Sequence, residues 1–223
     1  MAASAVQREA DHDSRILVRL AFVGGLGAAW FVVAVLLLHV LKSADYDFAE
    51  QTLSEFAVGR YGFLMTSAFV ALGVGELTLG VGLWKAVEGA RFAPSLLFLG
   101  GLVDLTSAIF EADLTGAAST THGAIHDGVG ALGAVLVVPT LLSFAWRFRR
   151  DARWRSFALP TLVWALAAVG GFGLVIALGD QNQGLSQRVF IAVYVSWLLA
   201  VSVRLVRLGR SDFNARLSYR APR

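Results

Sequence analysis

The sequence predicts an all-α fold: a polytopic integral membrane bundle of six transmembrane helices with both termini cytoplasmic. Three observations carry this. Of 223 residues, 57% are hydrophobic and only 16% charged, where soluble domains carry about 25% charged residues. The apolar residues fall into six runs, each suited to crossing ~30 Å of hydrocarbon. The basic residues flank those runs on one side. Of nineteen lysines and arginines, all but Lys42, Arg60 and Arg188 fall in or beside the N-terminal tail, the second and fourth connections and the C-terminal region. That is the positive-inside pattern, which puts both termini on the cytoplasmic side; the expected location is the plasma membrane.

Residues 1–15 form a polar tail of mixed charge, expected to fray. The first span, 16–41, runs too long for a cleavable leader and offers no small-residue cleavage site before charged residues resume, so it reads as a retained helix. Gly24, Gly25, Ala28 and Ala29 give it a small-residue face that a neighbouring helix can approach. His39 lies near its far end. Lys42 to Gly62 mixes acids with phenylalanine and tyrosine, as an interfacial helix or ordered loop does. The second span, 63–84, carries Glu76 near its middle. The third, 94–112, opens with Pro94, which a first helical turn tolerates, and holds Asp104. The fourth, 124–146, ends at a run of arginines edged by Trp146 and Trp154, where interfacial aromatics belong. The fifth covers 156–178 and the sixth 188–208, followed by a basic tail over 209–223. No internal repeat is convincing.

The chain contains no cysteine, which excludes disulfides, thiolate metal sites and cysteine nucleophiles. Its net charge of +3 is explained by the membrane flanks, so nucleic acid is not an expected partner. The expected partners are the bilayer and a lipid or small-molecule ligand.

Three polar loops fall on the face opposite the termini, and the richest is Glu111-Ala-Asp113-Leu-Thr-Gly-Ala-Ala-Ser-Thr-Thr121-His122-Gly-Ala-Ile-His126-Asp127. His122 and His126 are four apart, so a helix places both on one face. With His39 at the same membrane face they form a candidate metal set, zinc being the metal that suits such ligands. Alternatively, His126 caps the fourth helix or bonds to Asp113, and His122 is interfacial. Catalytic candidates are His126, Asp113, Asp127, Ser54 and Glu55. Ser54 and Glu55 read as nucleophile and base, or Ser54 as a helix cap. Asp127 is placed in a first helical turn, where the dipole favours a carboxylate, and Asp113 closes the turn after the third span. Arg188 and Gln187 are candidate ligand contacts. Arg188 runs against the charge bias and is expected to pair with Asp113 or Asp127, or to hold a lipid phosphate. Glu76 and Asp104 complete the ligand-contact candidates. Acids at that depth face the bundle interior, as a proton or cation relay or as interhelical hydrogen bonds to Thr78, Thr106 or Ser107.

Several pieces, in order, make the chain resemble the bacterial and archaeal membrane family catalogued as domain of unknown function 998. They are Thr52-Leu-Ser54-Glu55 followed by Gly59, then Asp113 with Gly123-Ala-Ile-His126-Asp127, and Gly184-Leu-Ser-Gln187-Arg188. Where members show Phe-Pro-x-Asp, this chain has Phe110-Glu-Ala-Asp113. The resemblance implies one helical membrane domain and brings no activity.

Three functions compete. The leading one is an enzyme whose polar pocket near the extracytoplasmic face acts on a lipid or isoprenoid head group, with metal-dependent hydrolysis as one form. The others are a proton-coupled carrier using Glu76 and Asp104, and a structural or regulatory subunit.

Overall fold

In hydrocarbon every backbone amide and carbonyl has to be bonded within its own segment, so apolar runs of this length have only the helix open to them. The computed structural model describes the backbone of residues 2–220 and contains six α-helices and no strand among them. They are α1 (Ala2–Leu41), α2 (Gly62–Ala86), α3 (Phe92–Ile109), α4 (Thr121–Phe148), α5 (Arg155–Leu178) and α6 (Gln183–Arg220). Each contains a stretch long and apolar enough to span a membrane. Short 3₁₀ turns occupy Leu53–Ala57 and Gly179–Asn182.

The helices differ from the sequence expectation mainly at their ends. Helix α1 reaches back to Ala2 through the segment expected to fray, and α6 runs on to Arg220 through the basic tail. Helix α4 starts at Thr121, three residues before the expected boundary, because Thr120 accepts a hydrogen bond from the Gly123 amide and caps it there.

Each helix packs on its neighbours in sequence, and α6 closes the ring against α1. Six crossings bring both chain ends to one face, here termed the terminal face; the opposite one is the loop face. Glycine sets the closest approaches. Gly27 of α1 meets the Ala71 carbonyl and Gly75 of α2. A Cβ added to Gly73 would lie 2.7 Å from the Gly101 carbonyl oxygen on α3, and one on Gly101 would lie 2.7 Å from the Gly73 oxygen. Lipid tails are as apolar as leucine, so this close packing, rather than burial from water, is what holds α1, α2 and α3 together.

Toward the terminal face the bundle is filled by aromatic rings. Phe148 stacks on Trp154 with centroids 4.5 Å apart, and Phe144 contacts Phe148 and Trp197, each at 5.4 Å. All four side chains are fully buried. The connections beneath are tied together: the Asp151 carboxylate accepts from the Glu88 amide at 3.1 Å, and Arg153 donates to the Ala86 carbonyl at 2.6 Å.

Gly73→Ala or Gly101→Ala is expected to cost about 1–3 kcal/mol, the usual penalty of overpacking. Gly128→Ala, where a Cβ meets open space, should stay within about 0.5 kcal/mol of the parent. Thermal unfolding of the three variants in one detergent measures the contrast.

Candidate functional site

The loop face is organised by one cation. The Arg188 guanidinium, at the start of α6, donates from Nε to His39 Nε2 at 3.1 Å. It donates from Nη1 to the Gln51 and Gly184 carbonyls at 2.8 and 2.7 Å, and from Nη2 to the Tyr46 hydroxyl at 2.8 Å. Its charge lies 5.4 and 5.8 Å from the ring centroids of Tyr46 and Phe56. The expected ion pair with Asp113 or Asp127 is therefore not formed. Fixed carbonyl dipoles, an imidazole, a phenol and two ring faces take the place of a carboxylate. Burial pushes the Tyr46 phenol up to about 12, against the opposing pull of Arg188. Gln187 accepts from the Leu53 amide at 2.8 Å. Arg188 and Gln187 together fasten residues 46–56 over the bundle as a cap.

Glu55 is a structural residue of this cap. It is 2% exposed. Its Oε1 accepts from the Thr52 amide at 2.8 Å and the Thr115 hydroxyl at 2.9 Å, and its Oε2 from Gln51 Nε2 and the Thr115 amide, each at 2.9 Å. Burial works to raise its pKa, but the bonds from Thr115, Gln51 and Thr52 together outweigh burial and hold it below the usual carboxylate value. Thr52, not Ser54, is the capping residue of the 3₁₀ turn. No hydrogen bond joins Ser54 to Glu55 or to His126 among the described residues, so the expected nucleophile–base pair is not assembled.

Asp113 accepts from the Thr120 amide at 2.7 Å and the Thr120 hydroxyl at 2.8 Å, and these bonds hold its pKa below the usual range. It thereby orients the residue that caps α4. A side chain at Gly123 would collide with the Asp113 carboxylate. With α4 beginning at Thr121, Asp127 lies in the second turn, beyond the helix end where the dipole acts, and is exposed.

The three candidate metal histidines are engaged separately. His39 donates from Nδ1 to the Val35 carbonyl at 2.7 Å and accepts from Arg188 on the other nitrogen. It stacks on Phe48 at 4.9 Å. His122 is exposed, edge-on to Phe110 at 5.4 Å. His126 is buried and donates from Nδ1 to the Phe110 carbonyl at 2.7 Å, rather than bonding Asp113 or capping α4. Among the described residues no group of three or more His, Asp or Glu is placed to hold a metal ion. The donor set does not fit zinc, and no step is derived through it.

A cavity of about 140 Å³ lies beneath the cap, between α2, α3, α4 and α6. Ser54 and Gln187 line it from the cap, His126 and Ser107 from the loop-side ends of α4 and α3, and Asp104, Glu76 and Tyr194 from deeper positions. Glu76 is 1% exposed, and neither of its carboxylate oxygens has a hydrogen-bond partner of good geometry. The Tyr194 hydroxyl faces it, and Asp104 is close enough to interact electrostatically. The three hydroxyls expected to bond these acids do not. Thr78 donates to the Gly75 carbonyl at 2.9 Å, Thr106 to the Leu102 carbonyl at 2.8 Å, and Ser107 bonds neither acid. No lysine or arginine lines the cavity. The Tyr194 ring that lines it stacks on Trp197, with centroids 6.4 Å apart.

The sequence reading missed Tyr194, Tyr46, Thr115 and Thr120. A phenol in the middle of α6, at the depth of Glu76, was a visible signal for Tyr194. The two threonines are ordinary loop residues whose partners lie 60 and seven residues away.

These features define a helical, multi-pass integral membrane protein with a polar cavity inside the bundle. The chain belongs to the family described as protein of unknown function (DUF998), whose family model matches residues 25–204. No curated protein and no solved structure matches it.

Glu55 gives the cap an acid dependence. Its folded pKa lies below the unfolded value of about 4.3, so its contribution is complete above that value and is lost as pH falls through the folded pKa. The protection factors of the Thr52 and Thr115 amides against hydrogen exchange should fall in that window. In Glu55→Gln they should be low already at neutral pH and change little on acidification.

Proposed function

We propose that this chain is a small proton-coupled carrier of the plasma membrane, with Glu76 and Asp104 as its proton sites. The observation that supports this reading is a pair of carboxyl groups sharing one intramembrane cavity, with no lysine or arginine among the described lining residues and only the Tyr194 hydroxyl facing Glu76. An acid at such depth costs about 2.5–3.5 kcal/mol on insertion scales. A purely structural acid recovers that cost through hydrogen bonds, yet Thr78 and Thr106 spend their hydroxyls on their own helices. Two charged carboxylates cannot stand bare together in hydrocarbon, so a proton or a bound cation has to neutralise them.

His126 supplies the upper step. Its Nδ1 must carry the proton given to the Phe110 carbonyl, which leaves Nε2 as the acceptor in the neutral ring. The positive-inside count supports an extracytoplasmic loop face, and in that orientation protons would load from the exterior past the cap. The aromatic packing at Phe144, Phe148, Trp154 and Trp197 would close the cytoplasmic side in this state. Helix α4 is the element suited to move. Gly128 and Gly130 have open space around them, and Pro139 lacks the amide that would bond the Val135 carbonyl.

A second reading, hydrolysis of a lipid head group, draws on one observation: the anchored imidazole of His126 shares the cavity with Ser54 and Gln187. In that reading His126 is the general base and Ser54 the nucleophile.

Infrared difference spectra of reconstituted protein between about pH 5 and about pH 9 should show a protonated-carboxyl band from the hydrocarbon region. That band should diminish in Glu76→Gln and in Asp104→Asn. Proteoliposomes holding a pH-sensitive dye, challenged with a panel of small amines and neutral metabolites, should show substrate-dependent proton movement that both variants lose. If no carboxyl in the bundle changes protonation and no compound moves protons, the carrier reading fails. Lipid hydrolysis that His126→Ala abolishes while Glu76→Gln retains it would establish the enzyme instead.

A further inference from the structure

A large concavity lies away from this site, on the terminal face. It is a cleft of about 920 Å³ between the start of α3, the end of α4 and the start of α5. Arg91, Arg147, Arg149 and Arg155 line its mouth, and no acidic residue lines it anywhere. Arg147 is committed to the Glu88 carbonyl. Arg149 packs only over Trp146, 5.6 Å from the ring centroid, and Arg155 makes no hydrogen bond or ion pair among the described residues. Two guanidinium groups are therefore free to accept an anion. The helix starts at Arg91 and Trp154 also lack any side-chain cap, so their first amides add positive dipole ends on the same side.

The rest of the wall is apolar. Leu142, Leu159 and Leu162 continue from the arginines into the spanning parts of α4 and α5, and Leu159 is 69% exposed. A soluble phosphate would fill only the mouth and leave this wall bare. A phospholipid matches both parts, with its phosphate at the arginines and its acyl chains along the leucines. Trp146 stands at the boundary, 54% exposed, as interfacial tryptophans do.

We propose that this cleft is a binding site for an anionic phospholipid of the leaflet at the terminal face. Arg149 and Arg155 clamp the head group bidentately. Basic pockets between spanning helices are a recurrent form of lipid recognition. The proposal is independent of the cavity beneath the cap.

The test is native mass spectrometry of the full chain released from mixed micelles of palmitoyl-oleoyl phosphatidylglycerol and phosphatidylcholine. Wild type should retain phosphatidylglycerol preferentially. The double variant Arg149→Gln/Arg155→Gln should lose roughly 30-fold in affinity, from about a decade or less per basic residue near the membrane surface. Arg19→Gln/Arg207→Gln removes the same charge from exposed positions outside the cleft and should behave as wild type. Circular dichroism and the thermal midpoint check that all three are folded. Equal retention of the two lipids overturns the proposal, and so does an equal loss in both double variants, which would mean diffuse attraction. Displacement by millimolar inorganic phosphate would also overturn it, by assigning the mouth to a soluble anion.

Discussion

The arrangement of the loop face depends on how one guanidinium is solvated. Arg188 stands where the charge distribution of the chain otherwise avoids arginine, and it is held without a carboxylate. Its donors reach α1 through His39, the cap through Gln51 and Tyr46, and its own helix through Gly184. Removing the charge would leave the His39 imidazole without its donor and break the ties to Gln51, Gly184 and Tyr46, at about 1–3 kcal/mol for a buried group left unpaired. Because these partners lie on three separate segments, the bond set fixes the cap over the open end of the bundle. The cap in turn roofs the cavity with Ser54 and Gln187.

That cap makes the interior below it more telling. Near the loop face almost every polar group is satisfied: Glu55 accepts from Thr52, Gln51 and Thr115, Asp113 from Thr120, and Gln187 from Leu53. Near the middle of α2, where an unmet polar group costs more, neither Glu76 oxygen has a hydrogen bond of good geometry, and only the Tyr194 hydroxyl faces it. A chain that bonds Glu55 and Asp113 through several donors and leaves both Glu76 oxygens without a well-formed bond has placed Glu76 under a constraint other than stability. An exchangeable occupant is such a constraint, since a carboxyl committed to the protein's own donors has nothing left to offer a proton or cation.

The fold was legible in the sequence because hydrocarbon imposes a coarse rule. A segment either spans as a helix or does not, and six apolar runs with one-sided arginines leave little choice. Helix ends were less legible, since they turn on single caps such as Thr120. Several of the candidate residues meet at the cap and the cavity, yet their bonding partners differ from those expected, for a shared reason. Sequence displays side chains and hides carbonyls, and the partners of Arg188, His39 and His126 are mostly carbonyls. The two histidines four apart were read as a metal pair. Both belong to one helix start, but His126 turns inward to the Phe110 carbonyl while His122 stays on the surface. Glu55 looked like a base beside Ser54 because adjacency is visible, whereas its bond to Thr115 crosses 60 positions.

The two faces of the molecule then divide the treatment of charge between them. On the loop face Arg188 is enclosed by the protein's own dipoles, and four of its five N–H groups are given to them. On the terminal face arginines are numerous, and two of them, Arg149 and Arg155, meet no acid and no carbonyl. The difference is not one of abundance alone. Arg147, in the same cleft, is spent on Glu88, which shows that local carbonyls are available to guanidinium groups there. The lining residues that remain unspent sit beside a leucine wall open to the bilayer. Donors left free where acceptors are within the chain's reach point outward, toward an acceptor that the membrane supplies.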